Sequence, residues 1–339
     1  MYNPEQKKEY IDFLVSRNAN AGELDFIEDL FNTTEKAEVT AGTDLCDMTA
    51  EQIGSLIGKK RRELDADHFR SIWWIYCYVK WCASSGLCRV NEWTESIRNS
   101  KDMEIVRQQM VANDFDLQTR LDHMLTDENK MTLDNLVRAC AWILYAGVDI
   151  DRVCQIRISD VDTKAMTVRV DDTWYDISRY GEASIRFAAE EDSYVRHYLH
   201  AELNHGWKID EDRVIKKNPE TDMLFRDSAG PIDLDRMIYI YGKRIGSRYD
   251  RNRVPIKTMS FRTISISGIF DRMYKMDLAG HDPFMTADTR QYERLVIEDT
   301  GRLNSAYNEK KKKLGMKAML RENYYKWKLA FLPQINLKD

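Results

Sequence analysis

Strand-like sequence is confined to one short stretch of this chain, and that confinement decides the fold class first. The runs MTVRV and WYDIS are rich in β-branched and aromatic residues, are separated by Asp171, Asp172 and Thr173, and read as a hairpin. Elsewhere apolar residues recur at helical spacing. Pro4 to Ser16, Gly22 to Thr33, Thr49 to Lys60 and Ala66 to Ser84 are predicted helices, separated by Gly, Asn, Asp and Thr turns. In the last of these, Phe69, Ile72, Trp73, Tyr76 and Val79 form one apolar face and Gly86 supplies a stop. Trp74 and Trp81 lie off that stripe, where they either pack or stack on bases or partners.

Further along, Thr132 is positioned to cap a helix whose face is Leu133, Leu136, Val137, Cys140, Ile143 and Leu144, with Gly147 ending it. Asp151 is placed to cap a short helix after it, and further helices are predicted over Glu190 to Asn204, Asp233 to Tyr249, Ser260 to Met276 and around Tyr292. A chain that is mainly α with a small β-sheet follows, and this order of elements excludes a βαβ dinucleotide fold.

A length of 339 residues with 43% hydrophobic content supports two globular domains with separate cores. Residues 1–105 read as a helical domain, 106–128 as a linker, 129–300 as a second domain and 301–339 as a tail. The 51 Lys and Arg are outnumbered by 56 Asp and Glu, so the whole chain exerts no pull on nucleic acid. Any such role rests on local patches: Lys59, Lys60, Arg61 and Arg62; the stretch from Lys243 to Arg253; and Lys310 to Lys313. Solvated surface describes each patch equally well.

The six cysteines have no paired short spacing of the kind that marks a zinc site, and most sit in apolar helical sequence. They read as reduced core residues, with no metal expected. No apolar run approaches the roughly 18 residues of a membrane span, so no membrane partner is expected and a cytoplasmic location is.

Three segments, in this order, carry a family likeness. The first is LYAGVDIDRVCQIRISDVD; the second is LFRDSAGPIDLDRMIYIYGKRI running into KTMSFRTISISGIF; the third is LAGHDPFMTADTRQY. Together the chain resembles the tyrosine recombinases of the phage-integrase type. Upstream, AGTDLCDMTAEQIGSLI and FRSIWWIYCYVKWCASSGL are similar to the helical core-binding domain that these proteins place before the catalytic domain. The resemblance implies a core-binding (SAM-like) domain followed by a recombinase catalytic-type domain. It also implies double-stranded DNA as partner, a homo-oligomer on DNA, and a role in DNA recombination or integration.

In that family a tyrosine hydroxyl attacks a phosphodiester to form a phosphotyrosyl link, with no cofactor. Charge develops on the phosphoryl oxygens, so fixed cationic donors must surround them. The resemblance assigns Tyr292 as nucleophile, Arg262 as phosphate ligand and His281 as a hydrogen-bond donor. A cation in a helix's first turn opposes the dipole unless an anion joins it, which fits Arg262 to that role. Lys59, Lys60, Arg61, Arg62, Lys243, Arg244 and Lys257 are the expected DNA contacts.

Several partners depart from the family pattern. Where its first arginine belongs, two residues after Gly147, stands Asp149, a carboxylate that repels phosphate. Arg152 follows three residues on, able to pair with Asp149 or to compensate at the phosphate. Met259 replaces a histidine, and the hairpin that should offer a lysine has acidic residues and Trp174, with Lys164 a weak substitute. These losses imply cleavage slowed by on the order of ten thousandfold or more. Three functions fit: an accessory or regulatory DNA-binding protein, an integrase with a rearranged phosphate clamp, and a helical protein-interaction protein with no DNA role.

Overall fold

Caps and apolar spacing place the first helices. Helix α1 (Pro4–Ser16) opens with proline at its first position, where a missing N–H costs no helical hydrogen bond. Helix α2 (Ala21–Ala41) begins where the Asn20 side chain accepts the Glu23 amide at 3.0 Å. It runs past the expected stop at Thr33, and the Thr34 hydroxyl bonds inside the helix to Phe31 O and to the Glu38 carboxylate. Helices α3 (Ala50–Lys60), α4 (His68–Ser84), α5 (Glu92–Arg98) and α6 (Lys101–Gln109) follow.

This computed structural model describes residues 1–60, 67–88, 92–125, 131–190, 193–201, 209–217, 220–227, 230–249, 255–257, 259–300 and 305–332. The chain divides into two compact units, residues 1–108 with 269–339, and residues 109–268.

The second unit begins with α7 (Asp114–Met124), α8 (Met131–Ala146) and the single-turn α9 (Ile150–Val153). Strands β1 (Val161–Asp162), β2 (Thr167–Val170) and β3 (Thr173–Asp176) form an antiparallel sheet in that order, pairing Val161 with Val168 and Val168 with Tyr175. The predicted hairpin is therefore present, and Asp171 takes the left-handed conformation (φ 52°) that its tight turn needs. Helix α10 (Glu182–Glu190) comes next.

The predicted helix from Glu190 to Asn204 is instead a hairpin, β4 (Ser193–Ala201) against β5 (Ile209–Lys217). The run SYVRHYLHA is rich in aromatic and β-branched residues, and cross-strand pairing overrides its helical spacing. Strands β6 (Arg226–Asp227) and β7 (Gly230–Pro231) precede α11 (Leu234–Gly246). That helix stops three residues before the expected Tyr249, and those residues form β8 (Ser247–Tyr249), paired with β9 (Pro255–Lys257).

At the centre of this unit is α8, whose Val137, Cys140, Ala141, Trp142, Ile143 and Leu144 are all buried in one core with Phe225, Met237, Tyr241 and Ile264. Helix α12 (Phe261–Leu278) approaches α8 closely at Gly268. A Cβ there would lie 2.0 Å from the Tyr145 carbonyl oxygen, so only glycine permits the contact.

In the first unit the chain returns through the C-terminal part of α12, α13 (Ala287–Thr300) and α14 (Ser305–Phe331), the last broken at Gly315 (φ 68°). Helix α14 packs along α4, and both faces of α4 are covered: Trp73 and Trp74 are buried alike. Trp74 is therefore a core residue. Its Nε1 donates to Glu23 at 2.7 Å, which removes it as a platform for bases. Among the described residues no helix is long and apolar enough to cross a membrane. The chain is mainly α with small β-sheets.

Candidate nucleic-acid interface

In the second unit, Gly147 (φ 116°) ends α8 with two return bonds, its own amide to Leu144 O at 3.1 Å and Val148 N to Ile143 O at 3.2 Å. The chain then turns into α9 with Asp149, not the expected Asp151, at the N-cap. A carboxylate at that position favours the positive end of the helix, which gives Asp149 a structural role.

Arg152, one turn on, donates to Gln155 Oε1 at 3.3 Å. Arg152 lines an open cleft of about 420 Å³ together with Arg157, Arg169, Ser159, Asp160 and Asp171. Three arginines and two aspartates thus line the cleft.

Arg169 comes from β2. Its neighbour Val168 points into the core, so strand alternation turns Arg169 outward, where it pairs with Asp160 at 2.9 Å and lies over the Trp174 ring. Arg157 pairs with Asp222 at 3.0 Å, both side chains 61% exposed. Such exposed pairs are weak and exchange readily for a stronger anion. Asp160, which accepts from Arg169 and from the Arg157 amide, has its pKa lowered: burial is the largest single influence and raises it, but those two bonds and the two arginine charges together outweigh it. Arg157 is already a candidate from the sequence to supply charge at a rearranged clamp, whereas Arg169 is not. The alternation in MTVRV was the available signal for the second. Lys164 is exposed in the turn between β1 and β2, where its amide donates to Asp162.

Arg262 sits in the first turn of α12, partly buried. Ser260 and Thr263 cap this turn reciprocally, Thr263 N donating to Ser260 Oγ at 3.1 Å and Ser260 N to Thr263 Oγ1 at 2.8 Å. Arg262 does not line the cleft that holds Arg152. Met259, just before the cap, is buried in the core of the unit.

The other two residues assigned by resemblance belong to the first unit. Gly280 (φ 78°) ends α12, and His281 N closes the cap on Met276 O at 3.0 Å, leaving the imidazole exposed. The Gly-His pair is thus a helix C-cap. Helix α13 is tied to α12 by Arg272, which pairs with Asp288 at 2.6 Å. Tyr292, one turn further, is only 2% exposed. Its ring stacks on Phe270, and its hydroxyl accepts from Asn323 Nδ2 of α14 at 2.6 Å. A phenol held this way attacks a phosphate only after α13 or α14 shifts.

Of the expected DNA contacts, Lys243 is exposed on α11, its ammonium 3.9 Å from the Tyr239 ring centre and bonded to that hydroxyl at 2.7 Å. Arg244 faces inward instead. Its Nε and Nη2 reach the buried Asp134 of α8 at 2.9 and 2.7 Å, a two-pronged pair that holds α11 to α8. Lys59 and Lys60 end α3 and Lys257 lies in β9, but their side chains fall outside the described residues, as do Arg61 and Arg62 entirely.

No family model matches the sequence, and no curated protein does. Among solved structures, the chain is similar to a crystal structure of XerA recombinase, at 12% identity and a TM-score of 0.33, covering 91% of this chain and 98% of that one. It is also similar to a lambda integrase dimer bound to a COC' core site, at 13% identity and a TM-score of 0.30, covering 90% of this chain and 98% of that one.

Proposed function

We propose that this chain is a duplex DNA-binding protein of the tyrosine-recombinase type, serving site-specific recombination or integration as an accessory or regulatory factor with strand cleavage weakened or lost. The observation that carries the reading is the ordered set of motifs on their elements. A Gly147-capped helix leads into a small antiparallel sheet, a helix with Arg262 in its first turn ends at Gly280 and His281, and the next helix carries Tyr292. Support for weakened cleavage comes from Asp149 at an N-cap, from Met259 in the core, and from a Tyr292 hydroxyl engaged by Asn323. Each missing donor to a developing oxyanion costs about a hundred- to a thousandfold in rate.

Fluorescence anisotropy with a labelled duplex tests this. Binding should weaken steeply with salt, survive Tyr292→Phe unchanged, and lose about one unit of salt slope in Arg262→Ala. No binding at low salt ends the reading.

The cleft with Arg152, Arg157 and Arg169 favours a second reading, an active integrase with a rearranged phosphate clamp. A nicked duplex that traps covalent protein, with the adduct absent in Tyr292→Phe, selects it. Absence of any adduct at high protein concentration selects the accessory role.

A further inference from the structure

Three of the six cysteines, one of them some forty residues from the other two, come together at one end of α4. Cys46 lies in the turn between α2 and α3, Cys82 in the last turn of α4, and Cys88 just after that helix. The Cys46 and Cys88 sulfurs and an Asp47 carboxylate oxygen all lie within 4.8 Å of one another. From α1, Gln6 Nε2 approaches two of these sulfurs, Cys82 at 3.2 Å and Cys46 at 3.5 Å.

We propose that Cys46, Asp47 and Cys88 form a zinc-binding site that staples the α2–α3 turn to the end of α4. Around tetrahedral zinc, with Zn–S bonds of about 2.3 Å, sulfurs sit about 3.8 Å apart, so a modest contraction of the observed cluster suffices. Soft thiolates select zinc over magnesium or calcium. Zinc displaces the thiol protons to solvent, and the Gln6 amide, already aimed at Cys46, donates to the resulting thiolate from the outer shell.

The turn is also held in place before any metal arrives. Asp44 Oδ1 accepts the Cys46 amide at 3.0 Å and the Tyr78 hydroxyl at 2.9 Å, and Glu38 accepts the Leu45 amide at 3.1 Å. Asp47 is exposed and Cys88 half-buried, which gives the ion a way in from solvent, while Cys46 and Cys82 are buried beneath them. Neither sequence spacing nor any likeness to other proteins points to this site; it exists only because the fold brings positions 46 and 88 together.

Cobalt(II) added to full-length, reduced, metal-stripped protein is the test. One equivalent should produce thiolate-to-cobalt charge-transfer absorption with the intensity of two thiolates, displaced by one equivalent of zinc, and zinc should raise the melting temperature. Cys88→Ala should abolish the absorption. Asp47→Asn, at an exposed position that leaves the core intact, should weaken cobalt binding about tenfold or more. Cys140→Ala, in the other unit, should change nothing. No charge-transfer absorption, absorption that persists in Cys88→Ala, affinity unchanged in Asp47→Asn, or a Cys46–Cys88 disulfide that resists reductant would each overturn the site.

Discussion

Lys328 shows how much a single side chain carries in the first unit. Its ammonium is buried, bonded to Asp277 at 2.7 Å and ringed by Trp73, Trp74, Tyr274, Tyr324 and Tyr325. Burial pulls its pKa down most strongly, but Asp277, the bond to it and Glu23 together raise it above the ordinary 10.5. A lysine raised on folding stabilises fully below its unfolded pKa and loses that contribution as pH climbs through the folded value. Stability should therefore hold through neutral pH and fall once pH passes about 10.5. In Lys328→Met that alkaline loss should shrink. At neutral pH, Lys328→Ala should cost about 3–5 kcal/mol by urea unfolding, because Asp277 is left charged and unmatched. The double variant Lys328→Met with Asp277→Asn should recover most of it. Full stability in Lys328→Ala would mean that the pair contributes nothing. From sequence, this lysine is one of two in NYYKWKLAF, and no pattern there marks it as the inward-facing one.

Among the elements, two glycines in helices should answer the same substitution with opposite signs. Alanine gains about 1 kcal/mol over glycine in a helix interior. At Gly54 in α3 nothing lies within 4 Å of an added Cβ, so Gly54→Ala should stabilise by about 0.5–1 kcal/mol. At Gly268 the added carbon meets backbone, which cannot swing aside, and Gly268→Ala should destabilise by about 1–3 kcal/mol despite its propensity gain. Chemical denaturation of both variants checks the pair; equal shifts would contradict the close approach of α12 to α8. Elements of this kind were largely readable beforehand. Helix α1 has the expected bounds because Pro4 starts it, and the hairpin of β2 and β3 follows from alternation around Asp171 and Asp172. Residues 193–201 misled because aromatic residues satisfy helical and strand spacing alike, and long-range pairing decided between them. The site was less readable. Arg262 falls in the first turn of α12 as expected, whereas Arg244 looked like a surface cation and turns inward to Asp134, whose burial no local pattern announces.

Chain connectivity makes the two units unequal as folding bodies. Among the described residues, the core of 109–268 runs from Val111 to Ile264, all within that one segment. A continuous stretch with its own core is equipped to fold alone. Expressed by itself, 109–268 should show helical circular dichroism and one cooperative thermal transition. Residues 1–108 are differently placed, because the buried surface of α4 is completed from the far end of the chain. Arg321 reaches Asp67, Glu322 accepts the Phe69 amide at 2.9 Å, and Lys328 lies over Trp73 and Trp74. Cut off from 269–339, those tryptophans face water, and burying one large side chain contributes about 1.5–3 kcal/mol against a total stability of only about 5–15 kcal/mol. The fragment 1–108 should therefore lack a cooperative transition and bind a hydrophobic dye, and supplying 269–339 as a second chain should restore the transition. A cooperative melt of 1–108 alone would show that α4 needs no partner from the C-terminal segment.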